Sequence, residues 1–303
     1  MTNQNELPVM VYDSFTDVRF GGNIGGIVLN AGGLSSDMMQ KIAGEINAPV
    51  TGFVTAQQHR EITIRFFMPT VEIAMCGHVT VGLFSYLSGA GGMEPGTFTM
   101  RAPAGPVEVQ VIKSSGTDSP PIVMMQAGLP ELRATDIDIA DLAKALALPE
   151  AEIGRINPLE TAEAGLTHLV VQLDSFAKVQ SLAPDFRKLS QVSKAAGVHT
   201  VGCFAMETAD SAHSLHIRDF CPAVGADEVP ASGTTNGALA GYLVRYGLVP
   251  EGKQTILAEQ GTELGRPSLI RCEIDSKGGV LTSVKVGGQA VVSLKGVVAG
   301  EGW

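Results

Sequence analysis

The sequence predicts an α+β protein made of two similar halves, and three observations lead to this fold class. Short β-rich runs dominate the 303 residues, few helical segments separate them, and each half contains one strongly apolar helix. Strands and helices do not alternate regularly, and neither a GxGxxG nor a GxxxxGK[ST] motif is present. A doubly wound nucleotide-binding fold therefore lacks support.

In the first half, a helix is predicted over 35–47, because Ser35 and Asp37 precede apolar residues at helical spacing. A second helix, over 78–90, is apolar on nearly every side. Alternating or β-branched runs predict the strands of this half, at 9–15, 25–31, 51–56, 62–68, 96–102 and 105–113. The polar segment 114–121 is the best candidate for a linker.

The same succession returns in the second half, which ends with three strands. Amphipathic helices are predicted over 138–148 and 185–197, and a strongly apolar helix over 236–247. Strands are predicted at 121–130, 167–173, 200–207, 212–220, 268–274, 281–288 and 290–296. His213 and His216 lie in one of these strand-like runs, and we expect them to point to opposite faces, which argues against a metal pair.

Composition excludes several classes of protein. The net charge is −10 with a pI near 5.1, and no Lys/Arg-rich run occurs, so nucleic-acid and anionic-membrane partners are disfavoured. The N-terminus does not resemble a signal peptide, and no apolar run approaches the roughly 20 residues needed to span a bilayer. We expect a cytoplasmic protein. Four scattered cysteines indicate neither a zinc site nor a disulfide framework.

An internal repeat relates the two apolar helices. Residues 76–90 align with residues 232–246 at an offset of 156, which pairs Cys76 with Ser232, Gly77 with Gly233 and His78 with Thr234. Each segment presents a small side chain that can bear a proton, then glycine, then a polar residue at the start of the helix. The offset is about half the chain, which favours two homologous halves.

This arrangement predicts a particular chemistry. Backbone N–H groups converge at a helix N-terminus and favour an anion such as a carboxylate. Side chains at 76 and 232 would flank the bound molecule, an arrangement suited to abstracting a proton next to a carboxylate or carbonyl. The competing interpretation is structural: two buried helices whose N-caps are Cys76 and Ser232.

Four segments resemble the phenazine-biosynthesis PhzF-like family. They are "YDSFTDVRFGGN", "FFMP" with "EIAMCGHVTVG", "RDFCPAVGADEVPASGTTNGALAGYL" and "EQGTELGRPS", in the family's order from the first strand to the last. The resemblance implies the diaminopimelate epimerase fold. In that fold two pseudo-symmetric lobes each wrap a curved, barrel-like β-sheet around a central helix, and the active site lies in the cleft between them. We place the lobes at 1–118 and 119–290, with the tail 291–303 packing back on the first.

Two acidic residues of the family pattern are missing. Val50 stands at the position of the family's catalytic glutamate, and Val229 replaces the aspartate of its EDPVTGS motif. Glu45 and Glu228 are near in sequence, and whether either compensates is left open. The phenazine-pathway reaction itself is therefore disfavoured.

The resemblance also indicates which residues form the site. Cys76 matches the first of two catalytic cysteines in epimerase and proline racemase relatives, and Ser232 falls where the second stands. We predict Cys76, His78, Ser232 and Thr234 as catalytic residues, with Cys76 as the base. Substrate-binding residues are predicted to be Asn23, Gly77, Gly233 and Glu228.

The sequence thus predicts a cofactor-independent isomerase or epimerase that moves a proton on a small carboxylic-acid metabolite, without metal or cofactor. Its partners would be that carboxylate and, as in similar families, a second copy in a homodimer. One alternative is a lyase (dehydratase) or hydrolase using Cys76 on the same scaffold. Another is a catalytically silent binding protein, given the two missing carboxylates.

Overall fold

A computed structural model describes residues 6–116 and 119–299, in which the chain divides into two compact units. Unit 1 comprises 1–126 and 287–303, and unit 2 comprises 127–286. Both are mixed α+β and consist mostly of strands. No helix among the described residues is long and apolar enough to cross a membrane.

Among its described residues, unit 1 contains two α-helices and a sheet with strands from near both ends of the chain. The helices are α1 (Ser36–Ile46) and α2 (Gly77–Ser88). The strands are β1 (Glu6–Ser14), β2 (Asn23–Val28), β3 (Val50–Gln58), β4 (Glu61–Phe67), β5 (Glu72–Ile73), β6 (Gly96–Ala102), β7 (Gly105–Ile112), β8 (Ile122–Gln126) and the last strand of the chain, β18 (Ala290–Ala299).

Unit 2 contains four α-helices among its described residues. They are α3 (Ile139–Leu146), α4 (Phe176–Gln180), α5 (Phe186–Ala195) and α6 (Gly233–Arg245). Its strands are β9 (Glu131–Ala134), β10 (Glu160–Glu163), β11 (Thr167–Gln172), β12 (Thr200–Ala205), β13 (Leu215–Cys221), β14 (Ala226–Val229), β15 (Gln254–Gln260), β16 (Ser268–Lys277) and most of β17 (Val280–Gly288).

The two units repeat one order of strands. In unit 1, β1 pairs antiparallel with β2, β2 parallel with β3, β3 antiparallel with β4, and β4 parallel with β6. In unit 2, β10, β11, β12, β13 and β15 follow in the same order with the same senses. A helix lies in each parallel crossover, which is the usual connection between parallel strands. This correspondence confirms the internal repeat that the sequence predicted.

The two apolar helices are the buried centres of their units. Helix α2 contacts β1, β2, β8 and β18 of unit 1, and eight of its residues, from Val79 to Leu87, are buried. Helix α6 contacts β9, β10, β11 and β16 of unit 2 and is buried from Thr235 to Val244. A helix that is apolar all round has no solvent face, so both sequence predictions of a central helix are confirmed.

Candidate active site

The first candidate half-site lies at the start of α2 in unit 1, where Cys76 is the N-cap residue. Its Sγ lies 3.4 Å from Nδ1 of His78. Burial raises the pKa of the Cys76 thiol to about 12, although the backbone amides of Val79 and His78 partly offset this. Burial also lowers the pKa of His78 to about 4. At neutral pH this pair is therefore a thiol beside a neutral imidazole.

Strands β1 and β2 position the His78 segment. Ser14 Oγ donates a hydrogen bond of 2.6 Å to the carbonyl of His78, and Ser14 lies opposite Asn23 in the β1–β2 ladder. Asn23 is itself buried, with 7% of its surface exposed. A Cβ at Gly25 would lie 3.3 Å from the His78 ring, so glycine lets the ring approach the strand. The structure thus brings Asn23, Cys76, Gly77 and His78 together.

The second candidate half-site lies at the start of α6 in unit 2. Ser232 is the N-cap residue, and its Oγ accepts a hydrogen bond from the amide of Thr235. The Ser232 Oγ also lies 2.8 Å from Thr235 Oγ1 and 3.2 Å from the exposed Thr234 Oγ1. Gly233 is the first helical residue. The capping interpretation of Ser232 is confirmed, and the residue is partly exposed.

A buried polar network, which the sequence did not predict, lies behind Ser232. Thr235 Oγ1 donates to Asp219 Oδ2 at 2.6 Å and is 3.2 Å from His168 Nδ1, which in turn is 2.8 Å from Thr200 Oγ1. Asp219 and His168 are each 1% exposed. Asp219 Oδ1 and His168 Nε2 have no hydrogen-bond partner among the described residues. Such unsatisfied buried atoms require an explanation.

Burial raises the pKa of Asp219 from its ordinary value of 3.8 to about 6. The hydrogen bond from the Thr235 hydroxyl stabilises the carboxylate and limits the rise, and the charge of Glu228 adds to it. Burial lowers the pKa of His168 to about 4, so this imidazole is neutral at pH 7. The network therefore contains one group whose charge changes near neutral pH.

Gln260 holds the loop that carries Ser232. Its side chain accepts from Asn236 Nδ2 at 3.0 Å and donates to the carbonyl of Val229 at 2.9 Å. The adjoining Gly261 has φ of 80°, and a Cβ there would lie 2.4 Å from the carbonyl oxygen of Pro230. The "EQGTELGRPS" segment thus serves to shape the start of α6.

The residues at and near the altered acidic positions lie in different surroundings. Glu228 forms a bidentate ion pair with Arg218, with N–O distances of 2.9 and 2.7 Å, and the two side chains are 4% and 8% exposed. Glu45 lies on the exposed face of α1. Val50 is buried as the first residue of β3.

Comparison with known proteins gives a match over nearly the whole chain. Residues 12–296 match the PhzC-PhzF family, described as phenazine biosynthesis-like protein. An uncharacterized isomerase of Deinococcus radiodurans is 32% identical over 95% of this chain and 93% of its own. The trans-2,3-dihydro-3-hydroxyanthranilate isomerase of Pseudomonas chlororaphis is 30% identical over 95% of this chain and 98% of its own.

Solved structures share the fold. A PhzF-family protein of Bacillus anthracis superposes with a TM-score of 0.88 at 24% identity and covers 97% of this chain and 99% of its own. A hydroxyproline epimerase of Agrobacterium vitis gives a TM-score of 0.58 at 12% identity and covers 99% of this chain and 94% of its own.

Proposed function

The chain belongs to the phenazine biosynthesis-like family, and from this premise we propose that it is a cofactor-independent isomerase that moves a proton on a small carboxylic acid. One observation carries the proposal. Both central helices begin immediately after a side chain that can bear a proton, Cys76 in unit 1 and Ser232 in unit 2. Amides at a helix N-terminus favour a carboxylate, and the same amides stabilise the enolate-like anion left when an α-proton departs.

The relatives support this class of reaction. Those named above carry isomerase names, and the Pseudomonas enzyme is named for an anthranilate, which bears a carboxylate. The missing acids at Val50 and Val229 argue against the Pseudomonas enzyme's own reaction. Another small carboxylic acid is the substrate class of the proposal.

In the proposal Cys76 moves the proton in unit 1, and His78 assists. Because burial keeps Cys76 in its thiol form, the residue enters the reaction as a proton donor and becomes a base only after that proton has left. Ser232 and Thr234 position the substrate or complete the transfer. Asn23 and the amides at Gly77 and Gly233 bind it.

Hydrogen exchange in D₂O tests the proposal. The protein is incubated with a panel of small amino and hydroxy acids, and loss of the α-proton signal is followed by NMR. We expect exchange with at least one acid and a decrease of about 10²–10⁴-fold in Cys76→Ala. Cys272→Ala is the matched control, because Cys272 is a buried cysteine of β16 remote in sequence from both helix starts.

Other outcomes would support other functions. Release of water or an unsaturated product from a hydroxy acid would indicate a dehydratase on the same scaffold. Exchange with none of the acids, together with unchanged anion binding in Cys76→Ala, would indicate a binding protein and overturn the proposal.

A further inference from the structure

We propose that Asp219, Thr235 and Ser232 form a proton relay in which the buried carboxyl group of Asp219 exchanges a proton with bound substrate through two hydroxyl groups. The inference rests on the proposed function, because the relay serves proton transfer to that substrate. Asp219 acts through other groups and is therefore a positioning residue, whereas Ser232 is the member that meets the substrate.

The hydrogen bonds have a defined direction. Thr235 has one hydroxyl proton and gives it to Asp219 Oδ2, so its oxygen accepts from Ser232 at 2.8 Å. Ser232 Oγ already accepts from the Thr235 amide, which leaves its own proton to donate. The chain of hydrogen bonds therefore runs from a partly exposed serine to an aspartate that is 1% exposed.

Unit 1 provides an internal comparison, because the fold repeats there with apolar residues. The strand registers make Phe66 of β4 the equivalent of Asp219 and Val50 of β3 the equivalent of Thr200. The repeat makes Val79 the equivalent of Thr235. Phe66 and Val79 are fully buried, at 0% exposure. Unit 1 thus packs apolar side chains at these positions. The fold therefore does not need a carboxyl group at the position of Asp219.

Burying a carboxyl group costs free energy. Because packing does not require one at this position, its presence indicates a functional role. Asp219 lies directly opposite Gly202 on β12 and Val229 on β14, so the three residues share one face of the sheet. A Cβ at Gly202 would lie 3.3 Å from Thr235 Cγ2, so glycine leaves room for Thr235 beside Asp219. The family pattern has an aspartate at position 229, where this chain has valine. Here Asp219 supplies a carboxyl group on the neighbouring strand and on the same face of the sheet.

The proton transfer is balanced without another reactant. When the substrate carbanion is protonated, its electron pair forms the new C–H bond as the Ser232 O–H bond breaks. In this direction Asp219 starts protonated and both hydroxyls are turned the other way, so Ser232 takes the proton of Thr235, Thr235 takes that of Asp219, and Asp219 ends as a carboxylate. The reverse sequence removes a substrate proton and leaves Asp219 protonated.

Several other titratable or charged groups lie around Asp219. His168 on β11 is neutral at pH 7, and Glu228 on β14 is paired with Arg218 of β13. Burial raises the pKa values of the neighbouring thiols, Cys203 on β12 and Cys221 on β13, which therefore stay protonated near neutral pH. His168, Cys203 and Cys221 therefore keep their protonation near neutral pH, whereas the protonation of Asp219 changes there.

The experiment compares Thr235→Val with Thr235→Ser in the full chain. Valine is the residue unit 1 has at the equivalent position, so the fold tolerates it, and it removes the hydroxyl. Serine keeps the hydroxyl. We expect α-proton exchange to fall by about 100-fold or more in Thr235→Val and to stay near the wild-type rate in Thr235→Ser. The wild-type pH profile should show a limb near pH 6 that is lost in Asp219→Asn and Thr235→Val.

A substrate-free measurement separates this inference from the proposed function. Infrared difference spectra should show a carboxylic acid band that titrates near pH 6, is absent in Asp219→Asn, and moves to higher pH in Thr235→Val because a hydrogen bond to the carboxylate is lost. A shifted band supports the relay even where no acid in the panel is exchanged. An unshifted band, or an unchanged pH profile in Thr235→Val, overturns it even in an active isomerase.

Discussion

Asp219 makes stability depend on pH in the direction opposite to most acidic residues. Its pKa is raised from 3.8 to about 6 in the folded chain, so the folded state binds a proton more tightly than the unfolded state. The free energy of unfolding therefore falls as pH rises from about 4 to 6, and the full penalty applies above 6. The shift corresponds to about 3 kcal/mol at most.

Asp219→Asn should remove this penalty. We compare the free energy of unfolding of the variant with that of wild type at each pH. The variant's value minus the wild-type value should increase by up to about 3 kcal/mol from pH 4 to pH 7. Urea denaturation at several pH values measures the difference. Asp227→Asn is the control, because Asp227 is an exposed aspartate on the neighbouring strand β14. A pH-independent difference for Asp219→Asn would contradict the raised pKa.

Cys76 should react slowly with alkylating agents. Only the thiolate reacts, and a pKa of about 12 makes the thiolate fraction at pH 7 about a thousandfold smaller than for a free thiol of pKa about 8.5. We expect slow modification by iodoacetamide at pH 7 and a steep rise in rate toward pH 10, followed by peptide mass spectrometry. Free cysteine is the reference, and an equally fast reaction at pH 7 would show that burial does not raise the pKa of Cys76.

Single residues show where sequence reasoning reached its limit. Cys76, Gly77 and His78 were found because they are contiguous in a motif. Glu228 was predicted to bind substrate from its place in a motif, but only the structure shows that Arg218 pairs with it. An ion pair between two strands depends on register, which motif spacing does not contain.

At the scale of elements, α2 lies close against β1 because residue 82 is glycine. A Cβ at Gly82 would be 2.8 Å from Tyr12 Cβ and 3.2 Å from Ser14 Oγ, and Ser14 holds the carbonyl of His78. The position of the Cys76–His78 pair therefore depends on this close approach.

Gly82→Ala should displace α2 and lower the free energy of unfolding by about 1–3 kcal/mol, with a matching loss of α-proton exchange. Gly44→Ala in α1 is the control. A Cβ there meets only the carbonyl of Pro69 at 3.4 Å, so helix propensity should raise stability by about 0.5–1 kcal/mol. Urea unfolding compares the two, and equal effects would contradict the packing argument.

The observed start of strand β13 changes the interpretation of His213 and His216. The sequence predicted that His213 and His216 point to opposite faces of a strand, and this was wrong. Strand β13 begins at Leu215, so His213 lies in the preceding turn, and Nδ1 of both histidines contacts the Glu259 carboxylate, at 2.8 and 3.2 Å. Strand ends depend on pairing with other strands, which local alternation does not reveal.

At the scale of the whole molecule, unit 1 is assembled from both ends of the chain. Strand β18 pairs with β1 from Glu6 opposite Ala299 to Ser14 opposite Ala290. The core beside β1 includes Leu7 and Val9, which are 8% and 7% exposed. Completion of unit 1 therefore requires residues that follow unit 2 in sequence.

Deletion of residues from 287 onward should unfold unit 1. We expect the amides of β1 and β2 to lose protection in hydrogen–deuterium exchange, while strands of unit 2, which has its own core around α3 and α5, keep theirs. Val297→Lys is the control, because Val297 is 56% exposed on β18 and should leave protection unchanged. Retained protection in β1 after the deletion would contradict this dependence.

The α+β class, both central helices, the internal repeat and the family are predictable from the sequence alone. The comparisons confirm the family, and the Deinococcus and Pseudomonas relatives carry isomerase names. These features are carried by local periodicity and contiguous motifs. Only the tertiary structure brought Asp219 together with His168, Thr200 and Thr235. These residues come from three strands and a helix, up to 67 residues apart in sequence, and only strand register and helix packing make them neighbours.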